Sequence, residues 1–589
     1  MSTWIASSTA RPRVSPTAEL GQAFAALRGW LVAVALFSGL INLLALTGSL
    51  FMLQVYDRVL TSRSVPTLVA LAVIAALLYA FQGILDIIRS RLLVRMGSRV
   101  DQILGARVYA VTLALPLRGG RSGDGLQPLR DLDTIRAFLA GQGPVAILDL
   151  PWMPVYLALV FALHPALGLL ASAGALLLVA LTIATEILSR GPARRSQGEA
   201  VRRQALAVAG QRNAEVLRAM GFGHRLAARW LGVNARHLAA QEQASDVTGG
   251  LSATSKVLRA LLQSALLAAG AWLTIAGELS GGAMIASSII ASRALAPIEL
   301  AIANWKSFLG GRESRKRLAT LLAAVPDGPD PMPLPAPRRD LSVEGLSVAP
   351  PGATRPMVQN VSFQLQAGQG LGLIGPSAAG KSSLVRALVG AWPAMRGAVR
   401  LDGAALEQWD PAALGRHIGY LPQDIELFDG TVAENIARFD EATEPAAIIA
   451  AAQAAGLHET ILHLPEGYST RIGEGGSALS AGQRQRLGLA RALYGDPFLV
   501  VLDEPNSNLD AEGEAALTRA IRGVRERGGI LIVVAHRPSA IAAVDLVGIM
   551  AQGMLQAFGP KEEVLRKNVQ QSGATPHPSG LAVVGEPGA

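Results

Sequence analysis

Six apolar stretches in the first half of this 589-residue chain constrain its fold more than any other feature. Leu31 to Val55 begins LVAVALFSGLINLLALTGSLF, and Pro66 to Ile88 begins PTLVALAVIAALLYAFQGIL. Val145 to Leu163 and Leu167 to Leu188 are separated only by His-Pro-Ala, and Ala260 to Ala276 is separated from Gly282 to Ala303 by GELSG. Each stretch is close to the ~20 residues a helix needs to cross the hydrocarbon of a lipid bilayer. The third and sixth are weaker, because they contain Asp149 and the pair Arg293 and Glu299. Six spanning α-helices are expected.

The bulk composition agrees. Apolar residues make up 50% of the chain and charged residues only 16%, where a soluble protein carries about a quarter. Cysteine is absent, which excludes disulfides, thiolate metal sites and cysteine nucleophiles. The net charge is +9. The arginines lie beside the apolar runs, so the excess reads as cytoplasmic loops of a membrane protein, and no nucleic-acid partner is expected. Nine arginines fall between Arg89 and Arg136 and ten between Arg190 and Arg236, whereas the three other connections hold only Arg58 and Arg63. The arginine-rich segments are therefore expected in the cytoplasm, with both termini. No cleavable signal peptide is expected.

Those segments are rich in Ala, Leu, Arg, Gln and Glu, all good helix formers. The membrane helices should thus continue well into the cytoplasm, with Gly221-Phe222-Gly223 as the turn between two extensions. Arg293, inside an apolar helix, is expected to face a polar cavity or a partner; six residues from Glu299, it lies on a different helix face.

VPDGPDPMPLPAPRRD, residues 325–340, is a proline-rich boundary. After it, short β-branched runs alternate with helical stretches, the pattern of an α/β domain. The expected organisation is a disordered 1–17, a transmembrane domain over 18–324, a linker over 325–340, an α/β domain over 341–566 and a disordered tail over 567–589.

GLGLIGPSAAGKSSLVRALVG carries Gly375, Gly380, Lys381 and Ser382 in the spacing G-x-x-x-x-G-K-[ST], between a strand and a helix. In that context Gly375, Pro376, Ser377, Ala378, Ala379, Gly380, Lys381, Ser382 and Ser383 form a phosphate cradle. Backbone N–H groups wrap the phosphates, Lys381 reaches the outer ones and Ser382 ligates Mg²⁺. Ala378 and Ala379 stand where glycine is common, so positive φ is not expected there. FLVVLDEPNSNLD is an apolar run ending in two carboxylates. Asp503 would hold Mg²⁺ and Glu504 would orient or deprotonate the attacking water. His536 leaves another apolar strand on the same edge, suited to a γ-phosphate contact. Gln423 follows an apolar-aromatic strand and, taken alone, also fits an exposed turn. In SALSAGQRQRLGLARAL, Ser480 is placed to cap a helix whose N-terminus is a second anion site.

The P-loop, LSAGQRQR, LDEP and His536, in this order, resemble the nucleotide-binding domain of ABC transporters. Six membrane helices before one such domain resemble the exporter-type half-transporter. The implied fold is an α-helical six-span transmembrane domain of ABC exporter type fused to an α/β P-loop ABC ATPase domain. FMLQVYDRVLTSRSVPTL, LDLPWMPVYLALVFALHPALG, RALAPIELAIANWK, LGRHIGYLPQDIELFDGTVAENIARF and DEPNSNLD are similar to the permease/ATPase of type I protein secretion systems.

That resemblance implies an inner-membrane ATPase using ATP and Mg²⁺, with its nucleotide-binding domain in the cytoplasm. It implies a head-to-tail homodimer, a periplasmic membrane-fusion adaptor, an outer-membrane channel and a protein substrate with an uncleaved C-terminal signal. By residue, it makes Gln423 a Mg²⁺-sensing glutamine, Asp503 and Glu504 the metal and catalytic carboxylates, and His536 the switch histidine. Asp510 takes the place of the D-loop aspartate, while Ser480, Gly482 and Gln483 belong to the signature that meets the partner's nucleotide. Glu474 is retained in TRIGEGG, the segment before the signature. The chain departs from the family at Val348 and Ala349, where an aromatic residue often stacks on adenine. A lipid or drug exporter of the same architecture is the alternative.

Overall fold

The computed structural model describes residues 16–119, 125–325, 333–535 and 541–572. Backbone contacts divide the chain into a helical unit, Pro12–Pro116 with Arg121–Asp327, and an α/β unit, chiefly Gly328–Ala589.

The helical unit runs α1 (Pro16–Ala26), α2 (Arg28–Ser62), α3 (Val65–Ala114), α4 (Gln127–Ala140), α5 (Gly143–Asp149), α6 (Trp152–Leu163), α7 (Pro165–Arg212), α8 (Ala214–Ala219), α9 (Gly223–Ile275), α10 (Gly281–Ala303) and α11 (Trp305–Ala324). Polar caps sharpen the short connections: Ser64 accepts the N–H of Thr67 at the start of α3, and Ser280 accepts that of Ala283 in α10. At 50, 48 and 53 residues, α3, α7 and α9 are about 70–80 Å long at 1.5 Å per residue. A bilayer core is only ~30 Å thick, so each helix projects far beyond it, as its composition predicted. The turn between α7 and α9 contains α8 and ends at Gly221, whose φ of 69° suits glycine.

Five helices are each long and apolar enough to span, and the third apolar run is not a single rod. It is the pair α5 and α6, bent by 41°. The break falls at Leu150-Pro151, where proline supplies no N–H to the helical ladder. Asp149 ends α5 there. Its carboxylate accepts from Asn42 Nδ2 at 2.8 Å and lies 3.8 Å from Arg89, which donates to Ser38. The charge that weakened this run in the sequence is thus paired across α2 and α3. In α10, small residues such as Gly282, Ala286, Ser287 and Ala291 are buried, which permits close helix packing. Glu299 pairs with Arg259 of α9 at 2.7 Å, and Arg293 is exposed.

The α/β unit contains β1 (Asp340–Val348), β2 (Val358–Gln366), β3 (Gly370–Ile374), β4 (Arg396–Leu401), β5 (Ala404–Ala405), β6 (Ile418–Leu421), β7 (Leu499–Asp503), β8 (Ile530–Val534), β9 (Leu546–Ala551) and β10 (Met554–Pro560). One antiparallel sheet has the order β2-β1-β4-β5. The second has the order β10-β9-β3-β8-β7-β6, parallel throughout except β10. β7 and β8 are buried along their whole length, which explains their unbroken apolar runs. One core lies between the sheets, around Leu341, Phe363, Leu373 and Ile532. The other joins the second sheet to the helical segment 421–493, around Leu421, Ile436, Leu487 and Val533. The terminal helix continues to Ser572, past the boundary expected at 567, and Pro16 already begins α1.

Candidate active site

The carboxyl ends of β3, β6, β7 and β8 share one edge of the parallel sheet, where α/β folds place their ligands. The loop after β3 leads into α12 (Lys381–Leu388). Gly375 has φ 149°, and a Cβ there would stand 2.1 Å from the Met550 carbonyl oxygen. Gly380, at φ 94°, caps α12. Lys381 is buried, and its Nζ donates to the carbonyls of Gly375 and Pro376, each at 2.9 Å. Burial pulls its ammonium down, while Glu504 and Asp503 push it up. Pro376, Ser377 and Ala378 are exposed on the loop, whereas Ala379 is buried. Ser382 lies in the first turn of α12, and the Ser383 hydroxyl donates to Met357 Sδ at 3.1 Å.

One expectation fails here. Ala378 adopts φ 63°, the left-handed region. The loop must turn its N–H groups inward within a few residues, and that closure outweighs the ~1–3 kcal/mol a Cβ costs there.

Asp503 ends β7 at 0% exposure, and neither carboxylate oxygen has a hydrogen-bond partner. Burial pushes its carboxyl up, the adjacent Ser382 hydroxyl pulls it down, and Glu504 adds to the push. Ser382 therefore lies close by, but its contact does not meet hydrogen-bond geometry. Two orphaned carboxylate oxygens beside a hydroxyl and a phosphate cradle fit Mg²⁺, which takes few protein ligands and completes its shell with phosphate and water.

Glu504 also sits at positive φ, 52°. Its N–H donates to the Val534 carbonyl at 3.0 Å, and its Oε2 accepts from Gln423 Nε2 at 3.2 Å. Gln423 is exposed, yet the structure brings it to Glu504 at this sheet edge, which the sequence alone left open. His536 lies outside the described residues.

Residues 31–295 match the profile of the ABC transporter transmembrane region, and residues 358–507 match that of the ABC transporter ATPase, described as ABC transporter. The type I secretion system ATP-binding protein PrsD of Rhizobium meliloti is 56% identical over 538 residues, covering 91% of this chain and 92% of the relative. The chain belongs to the ABC transporter family. The cyclolysin secretion/processing ATP-binding protein CyaB of Bordetella pertussis is 31% identical, over 90% of this chain and 75% of its own length. A solved bacterial Atm1-family ABC exporter with ATP bound superimposes with a TM-score of 0.81 over 94% of this chain and 99% of its own, at 23% identity. As an ABC transporter the chain is a multi-pass membrane protein that binds and hydrolyses ATP.

The ABC signature opens α13 (Ala481–Leu493). Ser480 caps it: its Oγ accepts from Gln483 N at 3.3 Å, and Gln483 Oε1 accepts from Ser480 N at 2.8 Å. A Cβ at Gly482 would lie 3.0 Å from the Asn508 carbonyl oxygen, a tight contact. Among the described residues, no hydrogen bond joins this helix start to the P-loop of its own chain. Asp510 caps α14 (Ala511–Glu526) through Gly513 N at 2.8 Å and lies 3.5 Å from Arg486. Sequence reasoning passed over Gln485, which is buried in α13. Its signal was available: it shares an apolar helix face with Gly488, Leu489 and Ala492.

Proposed function

We propose that this ABC transporter is the ATP-driven membrane component of a type I secretion system, exporting an unfolded protein that carries a C-terminal signal. The 56% identity to a type I secretion ATP-binding protein across nearly the full length of both chains carries the reading. The transporter sits in the bacterial inner membrane with its α/β unit in the cytoplasm, and works with a periplasmic adaptor and an outer-membrane channel.

It acts as a head-to-tail homodimer. The start of α13 is an anion site, since the N–H groups of the first helical turn have no intrahelical partner. A second phosphate site has no use beside the chain's own P-loop, but it closes a water-excluding lid over the partner's nucleotide. Lys381 and the loop N–H groups hold the phosphates. Asp503 and Ser382 would hold Mg²⁺, which neutralises charge on the phosphate oxygens when bound. Glu504, steadied by Gln423, takes the proton of the attacking water. ATP joins the two α/β units, hydrolysis parts them, and the membrane helices alternate in access.

Mixed dimers test the shared sites. Lys381→Ala damages every P-loop and Ser480→Arg damages every lid, so either homodimer lacks both sites. In a mixed dimer one site collects both defects and the other is intact. Roughly half of randomly paired dimers should regain one occluded nucleotide. Trapping no higher than in either parent refutes the shared site. Loss of export of a C-terminally signalled protein in cells carrying only Lys381→Ala tests the cargo class; continued export refutes it.

A further inference from the structure

One face of α13 lies along the segment that follows the catalytic carboxylates. Gly482, Gln485 and Arg486 are spaced i, i+3 and i+4, so they share that face. Gly482 abuts the Asn508 carbonyl, and Arg486 reaches Asp510 at 3.5 Å. Between them Gln485, 1% exposed, donates through Nε2 to the Pro505 carbonyl at 2.9 Å and to the Glu504 carbonyl at 3.5 Å. Its Oε1 accepts from Asn508 Nδ2 at 3.4 Å.

The contact falls where the backbone needs it. Glu504 holds φ 52° with a full side chain, a conformation that persists only when its surroundings over-determine it. The N–H of Glu504 is held by Val534 on β8 and its carboxylate by Gln423. Its carbonyl accepts from Ser507 N at 3.4 Å and from Gln485 Nε2 at 3.5 Å, and the next carbonyl, of Pro505, accepts from Gln485 Nε2 at 2.9 Å. Without the Gln485 amide, the Pro505 carbonyl loses a 2.9 Å donor and the Glu504 carbonyl loses one of its donors, so the hold on the peptide after Glu504 is weakened.

We propose that Gln485 is a positioning residue for Glu504: its amide fixes the Glu504 and Pro505 carbonyls and so aims the Glu504 carboxylate at the attacking water. The inference rests on the reading of Glu504 as the base. It makes the signature helix part of the hydrolytic machinery of its own chain. Through this buried side chain a tilt of α13 reaches the peptide that carries the carboxylate.

The test uses the full-length transporter in detergent. Gln485→Met keeps the volume and removes the donor. It should lower kcat by about tenfold or more with KM for ATP changed by less than about twofold, since ångström-scale misplacement of a catalytic group is costly while ground-state binding is untouched. Gln485→Glu turns an acceptor toward the two carbonyls at pH 8, but its carboxyl donates once protonated. Its kcat relative to wild type at the same pH should therefore rise at least about threefold from pH 8 to pH 6. Gln485→Met within about twofold of wild-type kcat overturns the inference. So does a flat pH ratio for Gln485→Glu, or a loss of ATP binding and thermal stability in step with kcat, which would mark a merely structural role. Glu504→Gln is measured alongside. If it is inactive while Gln485→Met is unimpaired, only this inference falls; if it retains wild-type turnover, the base assignment falls and takes the inference with it.

Discussion

Asp503 should cost the nucleotide-free protein stability and repay it only when Mg²⁺ and ATP arrive. Its side chain is wholly buried, at 0% exposure, and both oxygens lack a partner. An unsatisfied buried acceptor costs about 1–3 kcal/mol, and more when charged. Asp503→Asn removes the charge, keeps the volume and leaves one amide to be satisfied, so a net gain of about 1–2 kcal/mol is expected in the absence of nucleotide. For a unit of roughly 200 residues that is an increase in Tm of about 2–8 °C.

The pH dependence has a definite sign. Burial raises the folded carboxyl above its unfolded value. Ionised Asp503 thus destabilises the fold above the folded pKa, and the penalty fades as pH falls through that value and both states bind the proton. The advantage of Asp503→Asn should be full at neutral pH and shrink on acidification. With ATP the order should invert. Wild type gains an additional Tm increment from Mg²⁺ by linkage, and the variant should show the same Tm with ATP whether Mg²⁺ or a chelator is present. The assay is thermal unfolding in detergent, with and without ATP, Mg²⁺ and chelator. A variant less stable than wild type without nucleotide, or one that keeps the Mg²⁺-dependent increment, refutes the assignment of these oxygens to the metal.

Three further outcomes are expected. Glu504→Gln should bind ATP normally and release phosphate slower by orders of magnitude, because the phosphate and metal contacts remain while the water loses its base; near-normal turnover in a phosphate-release assay removes it from that role. Arg293, exposed on the otherwise apolar α10 and not the partner of Glu299, should face the pathway, so Arg293→Cys in this cysteine-free chain should react with a water-soluble thiol reagent; complete protection with and without trapped ATP counts against it. Burial pushes the Asp402 carboxyl up, but the N–H groups of Asp340, Arg338 and Arg339 pull it further down, below the ordinary value. Its contribution is therefore present above the unfolded pKa and lost as pH falls through the folded one. Asp402→Asn should lower Tm at pH 7 and match wild type at strongly acidic pH; a deficit independent of pH argues against the carboxylate.

The membrane half was legible because a bilayer sets a length, and length can be read without knowing the packing. The bend at Leu150-Pro151 was less so. Asp149 and Pro151 were both visible, but the partners that make a charge tolerable there, Asn42 and Arg89, lie about 60–110 residues away in sequence. The same holds for Glu299. Its helix-face spacing disfavoured Arg293 as a partner, but nothing in the sequence named Arg259 on α9. Periodicity states which face a residue occupies and is silent about the neighbouring helix.

At the ATPase edge the failures have a different cause. Local rules assign positive φ to glycine, and they hold at Gly375, Gly380 and Gly221. They fail at Ala378 and Glu504, two residues with side chains in the left-handed region, both at the carboxyl edge of the parallel sheet. At Ala378 the backbone conformation is needed and the side chain is tolerated. As the proposed base, Glu504 differs: glycine would relax the backbone but remove the carboxylate. A site that needs both a left-handed turn and a carboxylate at one residue must bring the stabilising contacts from elsewhere. Val534, Gln423 and Gln485 supply them from a strand, a loop and the signature helix. The left-handed conformation at Glu504 therefore draws on contacts from separate elements, so a displacement of any one of them should alter the geometry of the proposed base.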